Sequence, residues 1–207
     1  MSEQWPPVLE RGVAGLAHAG EGRSGDLAVF APFTGGGLVA VIDGLGHGDP
    51  AADAAEAASA ILREHSELPP QDLLERCHKE LRQTRGAVMT LAWFDLDDRS
   101  MRWTGVGNVE ARLVRARDDL GARFDSPVVL GGVVGYNLPQ VRVGMVPLEP
   151  GDAVVLATDG VAADYSVSLE SGVAAQVLAE RILERHRKGT DDALACVVRY
   201  LGPPATP

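Results

Sequence analysis

Two apolar runs in this 207-residue chain stop abruptly at the same dipeptide: Leu38-Val39-Ala40-Val41-Ile42 meets Asp43-Gly44, and Ala153 to Thr158 meets Asp159-Gly160. Continuous apolar runs of this length fit buried strands. A carboxylate at the lip of a buried strand is costly unless something positive meets it. After Asp43 the chain reads Gly44-Leu45-Gly46-His47-Gly48, alternating glycines that let the main chain turn tightly and approach a ligand closely. A third apolar run, Ala193 to Tyr200, is entered from Asp191-Asp192, and Asp26 opens the alternating run Leu27 to Phe30. If the strand entered from Asp191-Asp192 lies antiparallel to the first two, all three sets of carboxylates leave the same edge of a sheet and share one pocket.

Carboxylates crowded in one pocket repel unless cations neutralise them, and all-oxygen ligation suits Mg²⁺ or Mn²⁺ rather than zinc. The main-chain carbonyl of Gly44 is a further hard ligand. Two such ions about 3.5–4 Å apart share a hydroxide nucleophile and clamp a phosphoryl group. Taken singly, each acid also reads as an ordinary turn residue. Their joint placement after or before three apolar runs is what argues for a shared site.

A formal net charge of −10 and the absence of a clustered basic stretch argue against nucleic acid as a partner. No apolar run approaches the roughly 20 residues of a membrane span, and no secretory leader is evident, so a cytoplasmic protein is expected. The two cysteines, Cys77 and Cys196, lack metal-ligand spacing and read as buried free thiols. With 45% hydrophobic residues, the chain is long enough for one sizeable domain, expected over residues 8–201 between short tails at 1–7 and 202–207.

Around the acids, a strand is expected over Val8 to His18, then the loop Gly20 to Gly25. Asp49-Pro50 signals a helix start with Asp49 as cap, leading into an Ala-rich helix over Ala51 to Glu64. A second helix follows over Gln71 to Arg82, with Leu73, Leu74, Cys77 and Leu81 on one face. The period then shifts to that of strands: a hairpin from Ala87 to Val106, a strand over Val109 to Val114, a turn at Asp118 to Gly121, and shorter strands at Ser126 to Leu130 and Gln140 to Val146. A long amphipathic helix is expected over Leu169 to Arg187. Two consecutive helices after three strands disfavour a strictly alternating βα order.

Ser-Gly-Asp26, Val-Ile-Asp43-Gly-Leu-Gly-His-Gly, Gly-Val-Gly107-Asn108, Ala-Thr-Asp159-Gly and Gly-Thr-Asp191-Asp192-Ala resemble motifs of the metal-dependent type 2C (PPM) serine/threonine phosphatases, SpoIIE branch. Within that branch the chain looks most like the stressosome phosphatases. The resemblance implies an α+β fold, an αββα sandwich of two antiparallel sheets flanked by helix pairs. It implies two Mn²⁺ or Mg²⁺ ions, with Asp43 bridging them, the Gly44 carbonyl on one, and Asp159 and Asp191 completing the second. Asp192 is the alternative to Asp191, and Asp26 acts near the metals through water or directly. It further implies hydrolysis of phosphoserine or phosphothreonine on phosphorylated STAS-domain stressosome proteins by a monomer, without a phosphoenzyme.

The chain departs from many relatives in one place. Leu45 stands where they carry a histidine that serves as a candidate acid for the leaving group. His47 lies two residues further on, as a loop histidine or an acid. Arg23 and Arg11 are candidates to bind phosphate, and Gly105, Gly107 and Asn108 to shape a turn beside the pocket. The rival reading is a phosphatase-like scaffold with a weak site, against which the retained Asp43, Asp159 and Asp191 argue.

Overall fold

The computed structural model describes residues 4–116, 124–165 and 173–203. Two sheets are stacked. One has the order β1 (Leu9–Leu16), β11 (Ala193–Tyr200), β10 (Ala153–Ala157), β6 (Glu110–Val114) and β7 (Phe124–Asp125). The other has β2 (Asp26–Phe33), β3 (Gly36–Gly44), β4 (Ala87–Asp95), β5 (Ser100–Val106) and β8 (Val129–Leu130), with β9 (Gly144–Pro147) also paired to β5.

Side-chain alternation along the central strands builds three apolar layers. Val39 and Val41 of β3 meet Leu156 of β10 and Cys196 and Val198 of β11 between the sheets. The alternate residues Leu38, Ala40 and Ile42 pack under α1 (Asp49–Glu64) and α2 (Pro70–Glu80). Val155, Ala195 and Val197 pack under α3 (Ala175–His186). These strands are covered on both faces, which is why they read as unbroken apolar runs. On α1 the buried face is mostly alanine, Ala51, Ala54, Ala55 and Ala58 among it, so the helix lies close to β3. Both cysteine thiols are buried and free, and burial pushes each up to about 12.

The layered α+β architecture is the expected one, with several local differences. Gly48, not Asp49, caps α1, using a positive φ of 69°. Asp49 falls in the first turn, where a carboxylate still favours the helix dipole. The last turn of the second expected helix tightens into a 3₁₀ turn at Leu81–Gln83. Of the strand expected at 126–130 only Val129–Leu130 forms, as β8, parallel to β5 over two residue pairs, while the preceding β7 joins the other sheet. Only the end of the expected strand at 140–146 forms, as β9. The turn at Asp118 to Gly121 and the beginning of the helix expected over Leu169 to Arg187 lie outside the described residues, so α3 is the helix described over that sheet.

The segment expected as a loose N-terminal tail is held from Trp5 onward. Its indole Nε1 donates to the Leu9 carbonyl at 2.6 Å, and its ring meets Phe30 edge-on at 5.5 Å. Among the described residues no helix is long and apolar enough to cross a membrane.

Gly12 of β1 lies under α3, and a Cβ there would overlap the main chain of Ala175 and Gln176. Gly12→Ala is therefore expected to lower folding stability by about 1–3 kcal/mol, measured as a fall in the urea midpoint at constant slope.

Candidate metal centre

The acids converge from both sheets, not from one edge of a single sheet. Asp43 is the penultimate residue of β3 and stands opposite Asp26, the first residue of β2, in the antiparallel register. Asp159 follows β10, and Asp191 and Asp192 precede β11, which is antiparallel to β10, so these acids share the corresponding end of the other sheet. Stacking the sheets brings Asp43, Asp159 and Asp191 to the wall of one cavity of about 540 Å³.

The glycine after each aspartate is demanded by close packing rather than by turn handedness. A Cβ on Gly44 would overlap the Ala51 carbonyl of α1, and one on Gly160 would overlap the Asp192 carbonyl. The later glycines Gly46 and Gly48 are the ones with positive φ, 92° and 69°.

Each acid is held differently. Asp192 is buried and both its oxygens are taken: Oδ1 accepts the His18 N–H and Oδ2 the Gly25 N–H, each at 2.6 Å. It ties the β1–β2 loop to the start of β11. Asp191 lines the cavity, its Oδ1 accepting the Asp192 N–H at 2.9 Å. Asp159 receives the Asn108 side-chain amide on Oδ2 at 2.6 Å, and Lys188 Nζ donates to its main-chain carbonyl at 2.6 Å. Asp26 is buried and accepts the Thr158 hydroxyl on Oδ2 at 2.6 Å; the Thr158 hydroxyl in turn accepts the Leu194 N–H at 2.9 Å.

Burial is the main reason the Asp43 carboxyl is pushed up to about 7, with Asp159, Asp191 and Asp192 adding repulsion. Asp26 is pushed up to about 8 by burial first, against the Thr158 hydrogen bond and with repulsion from Asp43, Asp192 and Asp159. None of Asp43, Asp159 and Asp191 forms an ion pair with lysine or arginine among the described residues.

No three His, Cys, Asp or Glu side chains among the described residues are gathered into a ready ligand set for one ion. Mg²⁺ keeps several of its waters and uses only one or two carboxylates. An acid-lined, uncompensated cavity with oxygen donors from three strand ends therefore fits hydrated divalent cations.

The arginines proposed for phosphate face elsewhere. Arg23 is held by Asp49, Asp53 and Glu56 beside α1, at 3.4, 2.8 and 2.8 Å. Arg11 rests on Trp5 and Phe30. Leu45 and His47 both line the cavity; His47 is largely exposed, with Nδ1 2.8 Å from Glu21 Oε1. Asn108 does more than shape a turn, since it orients Asp159. Thr158 and His18 were not singled out in the sequence. An uncharged residue before Asp-Gly and a loop histidine carry no signal until the register is known.

This layered sandwich with acids at its seam is the fold of the type 2C phosphatases. A family model described as Stage II sporulation protein E (SpoIIE) matches residues 34–201, and the chain belongs to that family. It is 30% identical to a chain solved in work on the bacterial stressosome as a modular system adapted to control secondary messenger signalling. The TM-score is 0.84, over 92% of this chain and 99% of that one. The crystal structure of RsbX in complex with magnesium is similar in fold, with a TM-score of 0.79 at 19% identity over 92% of this chain and 94% of that one. The phosphoserine phosphatase RsbX of Bacillus subtilis (strain 168) is 24% identical over 123 residues, 59% of this chain and 60% of that protein's length.

Two outcomes follow from the division of labour among the acids. Asp192→Ala removes two charge-assisted hydrogen bonds and is expected to cost about 2–4 kcal/mol of folding stability, whereas Asp191→Ala should change the urea midpoint little. With a chelator present, the folded chain retains protons on Asp26 and Asp43 that the unfolded chain releases near its ordinary value of 3.8. Stability should thus be highest near the unfolded value and fall as pH rises through about 7 to 8. Asp26→Asn should flatten that decline in a series of thermal melts.

Proposed function

We propose that this chain is a metal-dependent protein phosphatase that removes phosphate from phosphoserine and phosphothreonine. The convergence of Asp43, Asp159 and Asp191 on one cavity, with no ion pair from a lysine or arginine to any of their carboxylates among the described residues, carries the reading. Asp43, the Gly44 carbonyl, Asp159 and Asp191 would hold two Mn²⁺ or Mg²⁺ ions. When bound, the ions would supply an activated water and positive charge for the phosphoryl oxygens.

The chain's own residues have narrower tasks. Asn108 fixes the Asp159 rotamer through Oδ2, leaving Oδ1 to the cavity. Thr158 holds the Asp26 side chain at the seam, where it would act on the ions through water or directly. Asp192 is a positioning residue: its two main-chain bonds hold the loop behind the cavity, and it leaves Asp191 as the ligand of the pair. Leu45 offers no proton to a leaving oxygen, and His47 at the cavity wall pairs Nδ1 with Glu21, so its Nε2 and cavity water are the two candidate acids.

The substrates we assign are phosphorylated STAS-domain proteins of a stressosome. This rests on the likeness to RsbX and to a chain from a stressosome study. The chain would act as a monomer, folded as one domain over residues 8–201. The intact acids weigh against a phosphatase-like scaffold.

Mn²⁺-dependent release of phosphate from a phosphoserine peptide should be readily measured, abolished by chelator, and reduced at least about 100-fold by Asp43→Asn. Activity that survives either treatment overturns the metal-dependent reading. Release from the peptide but from no phosphorylated STAS protein would overturn the substrate assignment alone.

A further inference from the structure

A second cavity, about 360 Å³, opens where the two sheets present their edge strands, β1 and β2. Arg11, Gly12, Val13, Phe30, Arg63 and Gln176 line it. Unpaired main-chain groups on an edge strand are a template for another chain unless side chains cover them. Here several are covered. The Leu9 N–H donates to the Pro6 carbonyl at 3.0 Å, and the Leu9 carbonyl accepts Trp5 Nε1 at 2.6 Å. Gln176 pairs with Val13 as a strand residue would: its Oε1 accepts the Val13 N–H and its Nε2 donates to the Val13 carbonyl, both at 2.9 Å. On β2, Arg63 donates to the Phe30 carbonyl at 3.1 Å and Ser66 to the Pro32 carbonyl at 3.2 Å.

In an antiparallel pair the N–H and C=O of one residue point the same way, and outward-facing residues alternate. Leu9 and Val13 face outward from β11, so Arg11, midway between them, does too. No bond from another described residue closes the Arg11 N–H and C=O. Its guanidinium is likewise without a carboxylate among the described residues, lying 5.1 Å from the Trp5 ring centre and 4.8 Å from that of Phe30. Arg63 bonds Ser59 Oγ and the Phe30 carbonyl and also holds no carboxylate there. The neighbouring acids are engaged: Glu10 with Arg199 and the Ala175 N–H, and Glu180 with Gln176. The chain carries a formal charge of −10, and its Arg23, Arg115 and Arg199 each hold carboxylates. Two cations left without one in a single cavity are a site for an anion.

We propose that this groove binds an extended acidic segment of a partner protein. One residue of the segment pairs its main chain with the N–H and C=O of Arg11, in the manner that Gln176 already pairs with Val13. A neighbouring Glu or Asp carboxylate meets the guanidinium groups of Arg11 and Arg63. The open main-chain pair is what selects a peptide over a free anion, and the two arginines are what select an acidic one. This inference stands apart from the phosphatase reading, because none of these six residues lines the acid cavity.

The test is fluorescence anisotropy on the full chain with a labelled peptide of about eight alternating glutamate and valine residues. Saturable binding is expected, with a lysine-valine peptide showing none. Arg11→Gln and Arg63→Gln should each weaken binding about tenfold. N-methylation of the peptide's main chain should weaken it about tenfold as well, a change that leaves the protein's own folding untouched. Absence of binding overturns the proposal, as does equal affinity for the N-methylated peptide or for the doubly substituted protein. Displacement of the peptide by inorganic phosphate at comparable concentration would assign the cavity to a free anion and overturn it too.

Discussion

The hydrogen bond from Thr158 to Asp26 crosses the seam between the two sheets, and the surrounding acids depend on how that seam is held. Bringing Asp26, Asp43, Asp159, Asp191 and Asp192 together concentrates negative charge at the end of a doubly covered core. Two of the five are satisfied internally: Asp192 by the amides of His18 and Gly25, Asp26 by the Thr158 hydroxyl. That leaves Asp43, Asp159 and Asp191 on the cavity wall. Inward bonds secure the loops, while the outward carboxylates retain the capacity to attract cations.

Much of this was legible in the sequence because burial on both faces leaves an unmistakable trace. The runs ending at Ile42 and Ala157, and the one beginning at Ala193, were readable as buried strands, and the Asp-Gly pairs marked where they emerge. The Ala-rich helix was equally plain. What the sequence did not disclose was which sheet each strand joins. A one-edge site and a seam between two sheets place the same acids at the ends of the same strands. Only register and stacking distinguish them.

The less legible parts share a physical cause. The segment 124–130 is short and weakly alternating, so the placing of β7 in one sheet and β8 in the other depends on neighbours distant in the chain. Asp191 and Asp192 are chemically identical, and their different tasks appear only when the amides of His18 and Gly25 are seen to face Asp192. Likewise Arg23 reads as a candidate for phosphate until three carboxylates of α1 are found around it. The glycines after Asp43 and Asp159 suggested tight turns, and their actual duty is to admit a carbonyl at van der Waals range.

The side-chain amide of Gln176 against Val13 has a consequence for solubility. An edge strand left bare along its length would invite copies of the protein to add to one another end on end, as in fibrils. A glutamine occupies one rung of that ladder, and Trp5 with Pro6 occupies another. A neighbour could then engage at most one residue before meeting a blocked rung, too short a contact to seed a growing sheet. Such blocked rungs disfavour edge-to-edge growth through this margin without sacrificing any residue of β1 to proline or to a distorting bulge.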